Sequence, residues 1–105
     1  MLKDRKYKRI HCKDGFSVSI QAGENKYSTP RQNIAGKYSA VALGYPSHKD
    51  DLIMSWAEDP DIPTKTVYGY VPSNTVYLLL TKHGGVVEGE CPCGIPVYGE
   101  DCANR

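Results

Sequence analysis

The sequence has no long hydrophobic run. Its longest apolar stretch covers residues 76–80 of 105, far short of the roughly 20 residues that a membrane-spanning helix requires. The N-terminus is basic and leads into no apolar segment, so we expect no secretory signal peptide. These absences predict a cytoplasmic location and no membrane partner.

The chain also lacks a strong charge of either sign, because its net charge is +1. A dedicated nucleic-acid-binding domain is usually much more basic. The charge is uneven, however, since residues 1–13 carry six of the 13 lysines and arginines and one of the 12 acids. A tyrosine among those cations could stack on a nucleic-acid base while the lysines and arginines neutralise the phosphates. The residues of this nucleic-acid alternative are Lys6, Tyr7, Lys8 and Arg9. The simpler interpretation is a solvated terminus beside a strand edge protected by lysines.

The length limits the chain to one domain of ordinary size. We expect residues 1–90 to form this domain. From residue 86 onward the chain is rich in glycine, proline and acid. This composition predicts that residues 91–105 form an irregular C-terminal tail that contains cysteines.

Strand patterns occur in four places. Residues 6–12 and 16–22 alternate apolar and polar side chains around the turn at 13–15, which predicts a β-hairpin. Residues 38–43 and 66–71 are the other predicted strands. Residues 23–37 contain scattered Gly, Pro and Asn and are expected to form a long loop.

Two segments have helical patterns. The first begins at Ser47 and ends before Pro60, with acids in its first turn. The second begins near Ser73 and ends at Gly84, a natural left-handed cap. The expected fold is therefore α+β, with an antiparallel sheet of about four strands in ββ-β-α-β-α order and two helices packed on one face.

Cysteines are few and clustered. The four are Cys12, Cys91, Cys93 and Cys102. Thiols stay reduced in the cytosol, so no disulfide framework is expected. The three C-terminal cysteines, with Cys12 or His11 as the fourth ligand, form an alternative metal site, because tetrahedral zinc takes four such ligands. A single proline separates the middle pair, which fits the usual zinc knuckle poorly, and the prediction is no metal and no cofactor.

No catalytic motif is present. A cysteine paired with His11, His48 or His83, and oriented by Asp14 or Glu90, would be a nucleophilic site. Nothing in the spacing favours one pairing over another. The sequence also lacks a glycine-rich phosphate loop and a His-Glu-x-x-His motif. We therefore expect a protein that is not an enzyme.

Tyrosine dominates the aromatic residues, with eight Tyr against one Phe and one Trp. Tyrosine is enriched at protein interfaces because it combines apolar area with a polar tip. In a regular strand Tyr68 and Tyr70 share one face and are both displayed. The predicted partner-binding residues are Tyr27, Arg31, Tyr68 and Tyr70. Two alternatives remain, since tyrosines also decorate half-buried sheets and the same surface would serve a homodimer.

Several phrases resemble uncharacterised small proteins of tailed bacteriophages and prophages. They are residues 10–22 (IHCKDGFSVSIQA), 27–31 (YSTPR), 44–46 (GYP), 56–60 (WAEDP), 66–72 (TVYGYVP) and 82–85 (KHGG). The resemblance covers roughly residues 6–90 and brings no catalytic residues. It implies an accessory protein that binds a host protein stoichiometrically in an infected bacterial host, for example to inhibit an antiviral defence component. The alternative is a small nucleic-acid-associated or metal-binding module that uses the basic arm or the cysteine tail.

Overall fold

The computed structural model describes residues 5–99, and these form one antiparallel sheet with a helix on its inner face. The five strands lie in the order β4-β3-β2-β1-β5. They are β1 (Ile10–Cys12), β2 (Ser17–Gln21), β3 (Ala40–Gly44), β4 (Val67–Pro72) and β5 (Val86–Glu88). The helix α1 (Ser73–Lys82) follows β4, and a short 3-10 helix covers Met54–Trp56. The predicted α+β class is confirmed, and within residues 5–99 no helix is long and apolar enough to cross a bilayer.

The core lies on the inner face of the sheet. The predicted hairpin is confirmed, with β1 and β2 antiparallel and Ile10 opposite Val18. Val18 and Ile20 are fully buried, while the alternating residues of β2 face the other side of the sheet. The fully buried side chains of α1 are Val76, Leu79 and Leu80, which join the same hydrophobic cluster. Their spacing produces the apolar stripe that holds α1 against the sheet.

The second predicted helix is confirmed, but the first is wrong. Residues 47–59 contain turns and the 3-10 helix instead of an α-helix. Ser47 does not cap a helix, because its Oγ accepts the backbone N–H of Ser17 at 2.9 Å. The Asp50 carboxylate accepts the N–H of Leu52 at 2.9 Å, which closes a local side-chain turn that competes with helix formation.

The predicted number of strands is also wrong, because five strands are present where about four were expected. The additional strand is β5, which pairs antiparallel with β1. It has three residues and directly follows the glycine pair that ends α1. So short a segment carries no detectable alternation, and only its pairing with β1 defines it.

The segment after residue 90 packs on the domain. Residues 91–99 contain no helix or strand, yet Ile95 is fully buried in the core. The Cys93 carbonyl accepts the Tyr38 N–H at 2.8 Å. The described part of the expected tail is therefore irregular in backbone but contributes to the core of the domain.

Candidate protein-binding surface

Three of the four residues predicted to bind a partner lie together on the outer face of the sheet. The rings of Tyr27 and Tyr70 have centroids 5.9 Å apart. The Arg31 guanidinium carbon lies 5.1 Å from the centroid of the Tyr27 ring. Tyr27 and Tyr70 are 44% and 46% exposed. We call Tyr27, Arg31 and Tyr70 the tyrosine surface.

The fourth residue, Tyr68, is not on this surface, and the prediction that it is displayed is wrong. Its side chain is 0% exposed, and its hydroxyl donates to the Pro63 carbonyl oxygen at 2.6 Å. Burial raises the pKa of the Tyr68 phenol. Tyr68 therefore belongs to the core.

A β-bulge separates the two tyrosines of β4. The register pairs Val41 with Val71 but Leu43 with Tyr68, so β4 has one residue more than β3 in this interval. The extra residue is accommodated at Tyr70, whose backbone is left-handed with φ 56°. Strict alternation fails across the bulge, and both Tyr68 and Val71 point inward.

The loop that carries Tyr27 is fixed to the bulge. The Tyr70 N–H donates to the Tyr27 carbonyl oxygen at 2.9 Å. Gly69 lies directly beneath, where an added Cβ would stand 3.2 Å from the Tyr27 Cβ. A larger residue at Gly69 would push the loop away, so the glycine allows the close approach that brings the two tyrosines together.

A shallow groove runs beside the tyrosine surface and has a volume of about 190 Å³. Its lining residues are Ser19, Gln21, Asn25, Lys26, Tyr27, Ala42, Leu43, Gly44, Tyr45 and Val67. The small side chains of β2 and β3 leave the space open, while the rings of Tyr27 and Tyr45 border it. Tyr45 is 54% exposed and was not among the predicted site residues, although the Gly-Tyr-Pro turn that carries it is visible in the sequence.

The basic arm does not present the features that the nucleic-acid alternative requires. Tyr7 is buried, at 3% exposure, and the Arg5 guanidinium covers its ring at 4.5 Å. The guanidinium of Arg9 donates to the carbonyl oxygen of Tyr45 at 2.6 Å. Lys6 and Lys8 are exposed. Because Tyr7 offers no open ring face, the prediction that it stacks on a nucleic-acid base is wrong.

A histidine cluster ties three segments together at the end of α1. His83 Nδ1 lies 2.7 Å from Asp14 Oδ2, and His83 Nε2 lies 2.7 Å from Asp50 Oδ2. The Lys82 ammonium lies 3.1 Å from the Asp50 carboxylate. The Phe16 ring stacks on the imidazole at a centroid distance of 3.9 Å. With a carboxylate at each ring nitrogen, both hydrogen bonds form when the ring carries both protons.

The carboxylates of this cluster are stabilised in their charged form. Burial raises the pKa of Asp50, but hydrogen bonds from the Leu52 N–H, His83 and Lys82 outweigh it and lower that pKa overall. For Asp14, hydrogen bonds from the Phe16 N–H and His83 lower the pKa. The cluster therefore acts as an electrostatic clamp among the hairpin turn, the loop before the 3-10 helix and the end of α1.

The cluster contains no activated nucleophile. Burial, and then the nearby Asp14 charge, raise the pKa of the Cys12 thiol, whereas a catalytic cysteine needs a lowered pKa. The Ser47 Oγ lies 2.9 Å from His48 Nδ1, but the same oxygen accepts the Ser17 N–H. In the described part of the chain no carboxylate contacts the His48 ring to orient it. His11 is exposed on β1.

The cysteines do not form the alternative metal site within residues 5–99. Cys93 is in a disulfide, whereas Cys12 and Cys91 are reduced thiols. Cys102 lies outside the described residues. Among residues 5–99 there is no group of three or more potential ligands arranged around a metal. The expectation of reduced cysteines is therefore wrong for Cys93.

The reduced thiols of Cys12 and Cys91 are expected to resist alkylation in the native protein. Burial, and then the neighbouring Cys12, raise the pKa of Cys91 to about 12, and burial raises that of Cys12. At mildly alkaline pH the reactive thiolate is therefore scarce. The rate of iodoacetamide labelling, measured by peptide mass spectrometry, should be more than about tenfold lower at both thiols in the native protein than in denatured, unreduced protein. Fast labelling of either thiol in the native protein would contradict the burial described here.

Comparison with known proteins gives no relative from which a function can be transferred. No protein-family model, curated protein or solved structure matches this chain. The resemblance to phage proteins therefore stays a prediction, and any function has to be argued from the surface itself.

Proposed function

We propose that this chain is a phage-type accessory protein that binds a host protein stoichiometrically, and that its binding inhibits a component of antiviral defence. In this proposal the protein does not catalyse a reaction. The observation that carries it is the exposed tyrosine surface, in which Tyr27, Arg31 and Tyr70 meet from two distant segments. Tyrosine and arginine are, with tryptophan, the residue types enriched among binding hot spots.

The surface has the properties of a prepared binding site. Tyr27 is held from below by Gly69 and through its carbonyl by the Tyr70 N–H. Both rings are therefore placed before a partner arrives, and fewer rotamers have to be fixed on binding. By contrast, the contacts of His83 are all made within the protein, to Asp14, Asp50 and Phe16. The support for binding is thus stronger than the support for chemistry.

A double substitution tests the surface. Tyr27→Ser with Tyr70→Asn is expected to weaken partner binding by at least about 30-fold, since a hot-spot pair contributes roughly 2 kcal/mol or more. Asparagine suits the left-handed backbone at residue 70 better than most residues. The measurement is calorimetric titration of the partner recovered by a tagged pull-down from host lysate, performed with nuclease present.

Leu78→Ser provides the matched control. Leu78 is 53% exposed on α1, which packs on the opposite face of the sheet from the tyrosine surface. This variant should bind the partner with unchanged affinity. A folded double variant that binds like the wild type would refute the surface assignment. Sedimentation of the protein alone detects the homodimer alternative, in which the same double substitution would produce monomers.

A further inference from the structure

We propose that the groove beside Tyr27 binds an acidic, extended segment of the partner that inserts one apolar side chain between Tyr27 and Tyr45. This inference rests on the proposed function, because it names the chemistry of the partner that the tyrosine surface recognises. A carboxylate of the segment would lie against Arg31.

The size and lining of the groove indicate a side chain as occupant. Its volume of about 190 Å³ is below the range of about 300–1,000 Å³ that is typical of small-molecule and cofactor sites. Ala42, Leu43 and Val67 give it an apolar floor, and two tyrosine rings border it. An apolar side chain in such a place removes apolar surface from water on both partners.

Arg31 is the cation that can meet a partner beside Tyr27, and none of the residues that line the groove is acidic. Arg31 is exposed and stacks on Tyr27, and no acidic residue in the described chain forms an ion pair with it. A carboxylate-bearing segment would complement the Arg31 guanidinium, which favours correct orientation and fast association.

A nucleic acid is the less suitable occupant. Binding along a phosphate backbone needs a continuous basic track. Here the two arginines of the N-terminal arm are engaged elsewhere, since Arg5 lies 3.5 Å from the Glu90 carboxylate and Arg9 bonds to Ser17 and Tyr45. The apolar floor of the groove also offers few hydrogen-bond partners for a base edge.

The test is selection of a random displayed peptide library on the immobilised full-length protein. We expect enrichment of peptides in which Asp or Glu flank an aromatic or large aliphatic residue. Arg31→Glu should weaken these peptides at least about tenfold, because like charges repel across an interface. Added salt should also weaken them. Lys37→Glu is the control, since this exposed lysine borders a different cavity.

A second variant separates the groove from the tyrosine surface. In Gly44→Ala the added Cβ would contact Val67 and Ser19 at 3.8 and 3.9 Å, so the fold accommodates it while the groove becomes shallower. Peptide affinity should fall. The inference would be overturned if basic or uncharged peptides were enriched, or if no peptide were enriched. It would also be overturned if oligothymidylate competed as well as the acidic peptides do, or if Arg31→Glu and Gly44→Ala kept full affinity.

The two proposals fail in different ways. A captured partner that is lost only in the Tyr27→Ser, Tyr70→Asn variant, and not in Arg31→Glu or Gly44→Ala, would remove the acidic-segment inference and leave the proposed function. A partner insensitive to all of these changes would remove both.

Discussion

Tyr68→Ala is expected to lower the free energy of unfolding by about 3–5 kcal/mol, the range for removing a large aromatic side chain from a core. Tyr68 is fully buried and belongs to the main hydrophobic cluster. Its removal leaves a cavity and an unpaired Pro63 carbonyl oxygen. Since a domain of this size is stable by roughly 5–15 kcal/mol, much of that stability would be lost.

Two further variants of β4 separate the contribution of the Tyr68 hydroxyl from that of its buried ring. Tyr68→Phe keeps the ring and should cost about 1 kcal/mol, the usual contribution of one hydrogen bond. Tyr70→Ala lies two residues away on the outer surface and should change stability by less than about 1 kcal/mol. Urea unfolding followed by circular dichroism measures all three. Equal losses for Tyr68→Ala and Tyr70→Ala would contradict the bulge in β4.

The bulge also shows why the candidate site could be predicted only in part. Residue types led to Tyr27, Arg31 and Tyr70 as neighbours on one surface, although no sequence pattern links the loop to β4. Tyr68 was assigned to the wrong side because alternation assumes an unbroken strand. A bulge depends on the partner strand and on Tyr70 accepting a φ of 56°, and neither is encoded in the local pattern.

The fold divides in a similar way. The β1–β2 hairpin and α1 follow from local patterns, because their alternation, apolar stripe and glycine turns lie within a few residues. The segment from Ser47 resembled a helix because the acids at 50 and 51 suit a first turn. The Asp50 carboxylate instead pairs with Lys82 and His83, which are distant in sequence. Such tertiary contacts override a weak helical preference.

Asp50→Ala is expected to lower the free energy of unfolding by about 3 kcal/mol. Its side chain is 2% exposed and contacts both His83 and Lys82. Losing one hydrogen bond to a charged group costs about 1.5–3 kcal/mol, and breaking a fully buried ion pair costs about 3–5 kcal/mol. The Lys82 side chain is 52% exposed, so solvent screens its ion pair with Asp50. The expected loss of unfolding free energy therefore falls between the cost of one charged hydrogen bond and that of a fully buried ion pair.

The acid dependence of stability provides an independent measurement of the same cluster. The pKa of Asp50 and that of Asp14 are lowered in the folded protein. Their stabilisation is therefore present above the unfolded pKa, near about 4, and is lost as the pH falls through the folded values. Urea unfolding at a series of pH values should show a shallower acid loss for Asp50→Ala than for the wild type.

Asp51→Ala is the control for both measurements, because the neighbouring carboxylate is exposed and makes no contact with the cluster. It should stay within about 0.5 kcal/mol of the wild type and keep the full acid dependence. If Asp50→Ala behaved like Asp51→Ala, the histidine cluster would not be the clamp that joins the hairpin turn to the end of α1. Because α1 and the hairpin meet on the inner face of the sheet, loosening this clamp should leave the tyrosine surface and its binding largely unchanged.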